Sequence, residues 1–132
     1  MIEFKAMFPV MVADNLAVLK QYYEENFGFN AVFFEADFYL HLVSPDSGVQ
    51  LGFLMPNLKN QPSFLHSKMI TEGYAVSLEV ADAHKAYQQA QHLKLDIQLP
   101  LTEEVWGQRH FILQDPAGFY IDIVEHLEGA DK

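Results

Sequence analysis

The tripeptide Val-Ala-Asp occurs twice, as Val12-Ala13-Asp14 and Val80-Ala81-Asp82, each time after an apolar run and ahead of an amphipathic stretch. Positions 14 and 82 differ by 68, close to half of the 132 residues. A period of that size marks two copies of one supersecondary unit, and it directs the search for function to the faces that the copies share.

Phe4 to Val12 reads as an apolar strand. Its Pro9 lacks an N–H and suits an edge or a strand beginning. Asp14 is expected to cap a helix whose Leu16, Leu19, Tyr22 and Tyr23 form one stripe, with Gly28 as the left-handed stop. Ala31 to Glu35, Phe38 to Val43 and Val49 to Met55 are β-rich runs separated by turn residues. The second copy repeats the order. Tyr74 to Val80 is a strand, Asp82 a cap, and Ala83, Ala86, Tyr87, Ala90 and Leu93 a helical stripe. Ile97 to Leu101, Arg109 to Gln114 and Phe119 to Glu125 are three further strands, with Asp115-Pro116-Ala117-Gly118 as the last turn. The reading is one domain of class α+β: a βαβββ module over 1–55, a linker over 56–73 and a second module over 74–128. The linker holds Phe64, Leu65, Met69 and Ile70, which are costly to leave in water, so part of it is expected to pack as a short helix or a cover.

Composition narrows the function classes. A formal charge of −10 argues against nucleic acid and anionic membrane surfaces and favours cationic or neutral small molecules. The absence of cysteine removes disulfides, thiol catalysis and thiolate metal sites. No leader pattern or long uncharged apolar span is visible, which reads as a cytoplasmic protein. His66, His84, His92 and His126 read as surface residues, while His41 and His110 sit in strands, where each is either a satisfied structural histidine or a ligand contact. No nucleophile accompanies them.

Trp106-Gly107-Gln108-Arg109-His110-Phe111, followed by Asp115-Pro116-Ala117-Gly118, resembles the WG-x-R-x-F…DP-x-G stretch of the vicinal oxygen chelate superfamily. That superfamily comprises glyoxalases, bleomycin-resistance proteins and extradiol dioxygenases. Asp14, Tyr22-Tyr23 and Phe27-Gly28-Phe29 support the resemblance in the first module. It implies that two βαβββ modules pair into a curved mixed sheet around a cleft, with helices outside. In metal-dependent members the ligands lie on the first strand of each module, seven residues before the capping Asp, and near the end of each last strand. Those positions are Met7, Ala75, Gly52 and Asp122 here, and only Asp122 is a competent ligand for a hard divalent ion. The resemblance is therefore to the metal-free, bleomycin-resistance-like branch, with no catalytic residue, no metal and no cofactor expected. It implies a homodimer that sequesters a flat cationic or amphipathic molecule, with Phe33, Phe38, Tyr39, Phe53, Trp106, His110 and Asp122 as the expected ligand-binding residues. Trp106 is placed in a loop, capping a pocket or an interface. The alternatives are a metal-dependent glyoxalase-type lyase, isomerase or dioxygenase, and an interaction protein whose cleft is filled by its own side chains.

Overall fold

A computed structural model describes residues 1–127, so residue 128 of the expected second module lies outside them. The elements are β1 (Val10–Val12), α1 (Leu16–Phe27), β2 (Asn30–Glu35), β3 (Tyr39–Val43), β4 (Gln50–Leu54), β5 (Ala75–Glu79), α2 (Ala83–His92), β6 (Ile97–Glu104), β7 (Gln108–Gln114) and β8 (Tyr120–His126). The order is βαβββ twice, and the chain divides into two compact units, Met1–Ile70 and one beginning at Thr71. Each unit holds one four-stranded mixed sheet, ordered β1-β4-β3-β2 in the first and β5-β8-β7-β6 in the second. The leading strand pairs parallel with the last, and the other pairings are antiparallel.

In each unit the helix covers one face of its own sheet. Leu16, Leu19 and Tyr23 of α1 are buried with Leu40, Leu42, Leu51 and Phe53, and the Tyr23 and Phe53 rings lie 5.7 Å apart. In the second unit Ala83 and Ala90 are buried with Phe111, Leu113, Ile121 and Ile123, and the Tyr87 ring meets Phe111 edge-on at 5.1 Å. Alternation along the strands turns the residues between these to the opposite, helix-free face.

The first strand is shorter than the apolar run. Met1 to Pro9 forms no strand, and Ile2, Phe4, Met7 and Phe8 are exposed. Pro9 has no donor of its own but accepts from the Gly52 N–H at 2.9 Å, just ahead of an edge strand. The linker up to Ile70 belongs to the first unit: Ser63–Leu65 forms a 3-10 turn and the Met69 N–H donates to the Val12 carbonyl at 3.0 Å, while Phe64 and Ile70 stay exposed rather than packed. In the second unit β6 runs on to Glu104, where the sequence suggests a loop from Thr102, because bulges around Leu99 and Pro100 absorb the irregularity at an edge.

The two helix starts differ. Asp82 caps α2 by accepting from the Lys85 N–H at 3.0 Å. Asp14 does not cap α1: the N-cap is Asn15, left-handed at φ 61° and without a side-chain cap bond, while Asp14 pairs with Lys68 at 3.2 Å. The backbone agrees with this shift, since the Ala13 N–H donates to Leu54 in the first unit and the Val80 N–H to Val124 in the second. Residues 13 and 80 are thus equivalent, and the structural offset at the leading strands is 67, one less than the tripeptide suggests. At the other end of α1, Gly28 is left-handed and the N–H groups of Gly28 and Phe29 satisfy the Glu24 and Tyr23 carbonyls.

Candidate functional site

The one-residue shift moves a key position. Seven residues before Asn15 is Phe8, and seven before Asp82 is Ala75; Met7 is 89% exposed and lies outside β1. The four positions at which the resemblance places metal ligands are accordingly Phe8, Gly52, Ala75 and Asp122, with Phe8 replacing Met7. Leu54 and Val124 accept the equivalent backbone bonds described above, so Gly52 and Asp122, two residues before each, are counterparts.

In the first unit the helix-free face carries Tyr39, His41, Gln50 and Gly52. Gly52 lies opposite His41 on β3 and beside Val10 on β1. A Cβ at position 52 would overlap the Tyr39 hydroxyl and press on Val10 Cγ2 at 3.1 Å, so the absent side chain is what lets the phenol occupy this place. The Tyr39 hydroxyl lies 2.7 Å from His41 Nδ1, and His41 Nε2 lies 2.6 Å from Gln50 Oε1. The Phe8 ring meets His41 edge-on at 4.6 Å. Burial of the phenol raises the Tyr39 pKa above its ordinary value, which keeps the hydroxyl protonated.

The helix-free face of the second unit carries a charged chain. His110, 8% exposed, has Nδ1 2.7 Å from Asp122 Oδ1 and Nε2 2.8 Å from Glu104 Oε2. Burial disfavours the charged imidazole, but the hydrogen bonds and charges of Glu104 and Asp122 outweigh it, and the His110 pKa rises above 6.5. When the ring is protonated, both nitrogens donate to carboxylates. Two carboxylates around one imidazole leave an excess of negative charge on this face whichever form the ring takes. Trp106 stands at the β6–β7 turn, 56% exposed, with Nε1 donating to Gln108 Oε1 at 2.9 Å. On the helix side of the same hairpin, Arg109 pairs with Glu103 at 2.8 Å and Glu125 at 3.6 Å, and Glu125 accepts from the Ala83 N–H that opens α2.

The expected ligand-binding residues therefore fall into separate groups. Phe33 lies opposite His41 and shares its face, with its ring 6.1 Å from those of Tyr39 and Phe38. Phe38 is half-buried in the β2–β3 turn. Phe53 is a correction: it is fully buried against α1, on the face opposite the candidate groups, because β4 alternates and its neighbour Gly52 takes the open side. His110 and Asp122 are joined by the hydrogen bond above, and Trp106 stands on the turn that follows Glu104. Glu104 was not among the expected residues, although its spacing from Thr102 would have put both on one face had the strand been extended past Leu101. His84 and His92 are exposed on α2, and His66 bonds the Gln61 carbonyl at 2.7 Å.

These residues do not fit a divalent metal at the positions that the resemblance indicates. A phenyl, a hydrogen and a methyl group supply no donor, and Asp122 Oδ1 is engaged by His110. Among the described residues, no three His, Cys, Asp or Glu side chains are arranged to hold a metal ion. No helix among them is long and apolar enough to cross a membrane.

Comparison with known proteins agrees with the architecture. Solved structures similar to this chain include a glyoxalase/bleomycin resistance protein/dioxygenase from Nocardioides, at 16% identity and TM-score 0.79, covering 99% of this chain and 89% of that one. A superfamily member from Sphaerobacter thermophilus matches at 20% identity and TM-score 0.73, covering 94% and 98%. A lactoylglutathione lyase from Agrobacterium tumefaciens matches at 16% identity and TM-score 0.72, covering 92% of each chain. No curated protein matches the sequence. The Glyoxalase/Bleomycin resistance protein/Dioxygenase superfamily matches residues 7–123, nearly the whole length, and the chain belongs to it.

Proposed function

We propose that this protein binds a small molecule without a metal, in the manner of the bleomycin-resistance-like members, and that it works as a homodimer. The observation that carries the reading is the donor set: Phe8, Gly52 and Ala75 offer nothing to a metal, and Asp122 is held by His110. A lyase, isomerase or dioxygenase of the metal-dependent kind needs donors at those positions.

The ligand is a flat cationic or amphipathic molecule. The Glu104–His110–Asp122 group supplies excess negative charge, and the exposed indole of Trp106 supplies an aromatic face on the same hairpin. A cation over such a face gains about 0.5–2 kcal/mol. The net charge of −10 attracts the same ligands over longer range. Dimerisation is supported by the outer edge of β1, which pairs with no strand among the described residues, and by the exposed Phe4, Phe8 and Val10 beside it. Thermal-shift measurements across a series of cationic aromatic dyes test the binding, with a rise in melting temperature expected for some members and none if the reading is wrong. Light scattering at micromolar concentration tests the dimer, and a monomer refutes it.

A further inference from the structure

The Gln50 amide, with Oε1 facing the ring, sets the direction of the hydrogen-bond chain in the first unit. Gln50 Oε1 can only accept, so His41 Nε2 carries the hydrogen and donates it. In the neutral ring the other nitrogen, Nδ1, is then an acceptor, and it takes the Tyr39 O–H. The Tyr39 hydrogen is thereby committed, and the phenol oxygen is left with lone pairs and no hydrogen to offer. Gly52 holds the hydroxyl in this place, since any side chain there would displace it.

The surroundings are apolar. Phe8 and Val10 are each 41% exposed and Phe33 is 42% exposed. All three border the chain on the helix-free face: Phe8 against His41, Val10 beside Gly52, and Phe33 against Tyr39. An aromatic ring laid on these residues gains contact area, and its polar substituent meets the Tyr39 oxygen.

We propose that Tyr39, set as an acceptor by His41 and Gln50, is a specificity point for aromatic ligands that carry an O–H or N–H donor, such as phenols and aromatic amines. The proposal rests on the metal-free binding reading and adds to it a rule of hydrogen-bond polarity. A ligand bearing only an acceptor places two lone pairs against each other and leaves the Tyr39 oxygen unsatisfied, which weakens it by about tenfold against a matched donor.

The test compares 2-naphthol with 2-methoxynaphthalene, which differ in the donor, by calorimetry on the intact protein. The expected result is about tenfold tighter binding of 2-naphthol, with the preference lost in Tyr39→Phe and kept in His84→Ala, an exposed position on α2. Nitrogen-15 NMR of the unsubstituted protein checks the direction without relying on a variant, with His41 expected to be protonated at Nε2. Equal binding of the two probes, binding of neither, or a His41 protonated at Nδ1 overturns the proposal. If cationic dyes still bind when the naphthol preference is absent, only this specificity point fails; if dyes and naphthols alike fail to bind, the broader reading fails with it.

Discussion

His110 Nδ1 lies 2.7 Å from Asp122 Oδ1, so the one carboxylate left at a family metal position is occupied by an imidazole. The opposite ring nitrogen is held by Glu104 at 2.8 Å. Together these contacts raise the His110 pKa against the opposing effect of burial. A group whose folded pKa lies above its unfolded value stabilises the fold fully below the unfolded value and loses that contribution as pH rises through the folded one. Urea midpoints measured from about pH 6 to about pH 9 are expected to fall through that window, and the fall is expected to be shallower in His110→Gln. Identical profiles for the two proteins contradict the assignment.

Tyr39 and Gly52 are expected to be energetically coupled. Gly52→Ala puts a methyl group into the space of the Tyr39 hydroxyl and should cost about 1–3 kcal/mol in denaturant unfolding. In a Tyr39→Phe background the same substitution should cost less, because the overlapping oxygen is gone, giving a coupling of about 1 kcal/mol in a double-mutant cycle. Additive losses show that the two groups do not compete for one place.

The two aspartates of the repeated tripeptide should behave differently. Asp82→Ala removes a cap that accepts from the Lys85 N–H and is expected to cost about 0.5–2 kcal/mol. Asp14→Ala removes an exposed pair with Lys68 and is expected to cost about 0–1 kcal/mol. Equal losses, measured by thermal or urea unfolding, argue that residue 14 caps α1.

That difference shows what the sequence could and could not disclose. The order βαβββ twice was legible because helix periodicity, Gly28 and the Asp-Pro-Ala-Gly turn are local signals. The one-residue offset was not, since it depends on Asn15 adopting a left-handed conformation that its side chain merely permits. Strand alternation left open which face of each sheet the helix would cover, so Phe53 read as a site residue while it is core. Glu104 was hidden because the expected strand ends at Leu101, whereas β6 continues through bulges on an edge to Glu104. The pairing of His41 with Tyr39 and Gln50 crosses strands, and no spacing along the chain announces it.

Trp106 belongs to a turn rather than a core, so Trp106→Ala should cost under about 1 kcal/mol of stability. The same change should weaken a cationic aromatic dye by about 1–3 kcal/mol in calorimetry, through lost stacking. A variant that unfolds, or that binds every dye as the parent does, removes Trp106 from the binding surface.

The most direct measurement is a titration of the protein with a flat cationic dye such as acridine orange, followed through the fluorescence of Trp106, the sole tryptophan, with and without a strong chelator of divalent ions. The expected result is saturable binding with the same affinity in both conditions. Binding that disappears with the chelator and returns on adding zinc, nickel, manganese or iron, or no binding in either condition, contradicts metal-independent recognition.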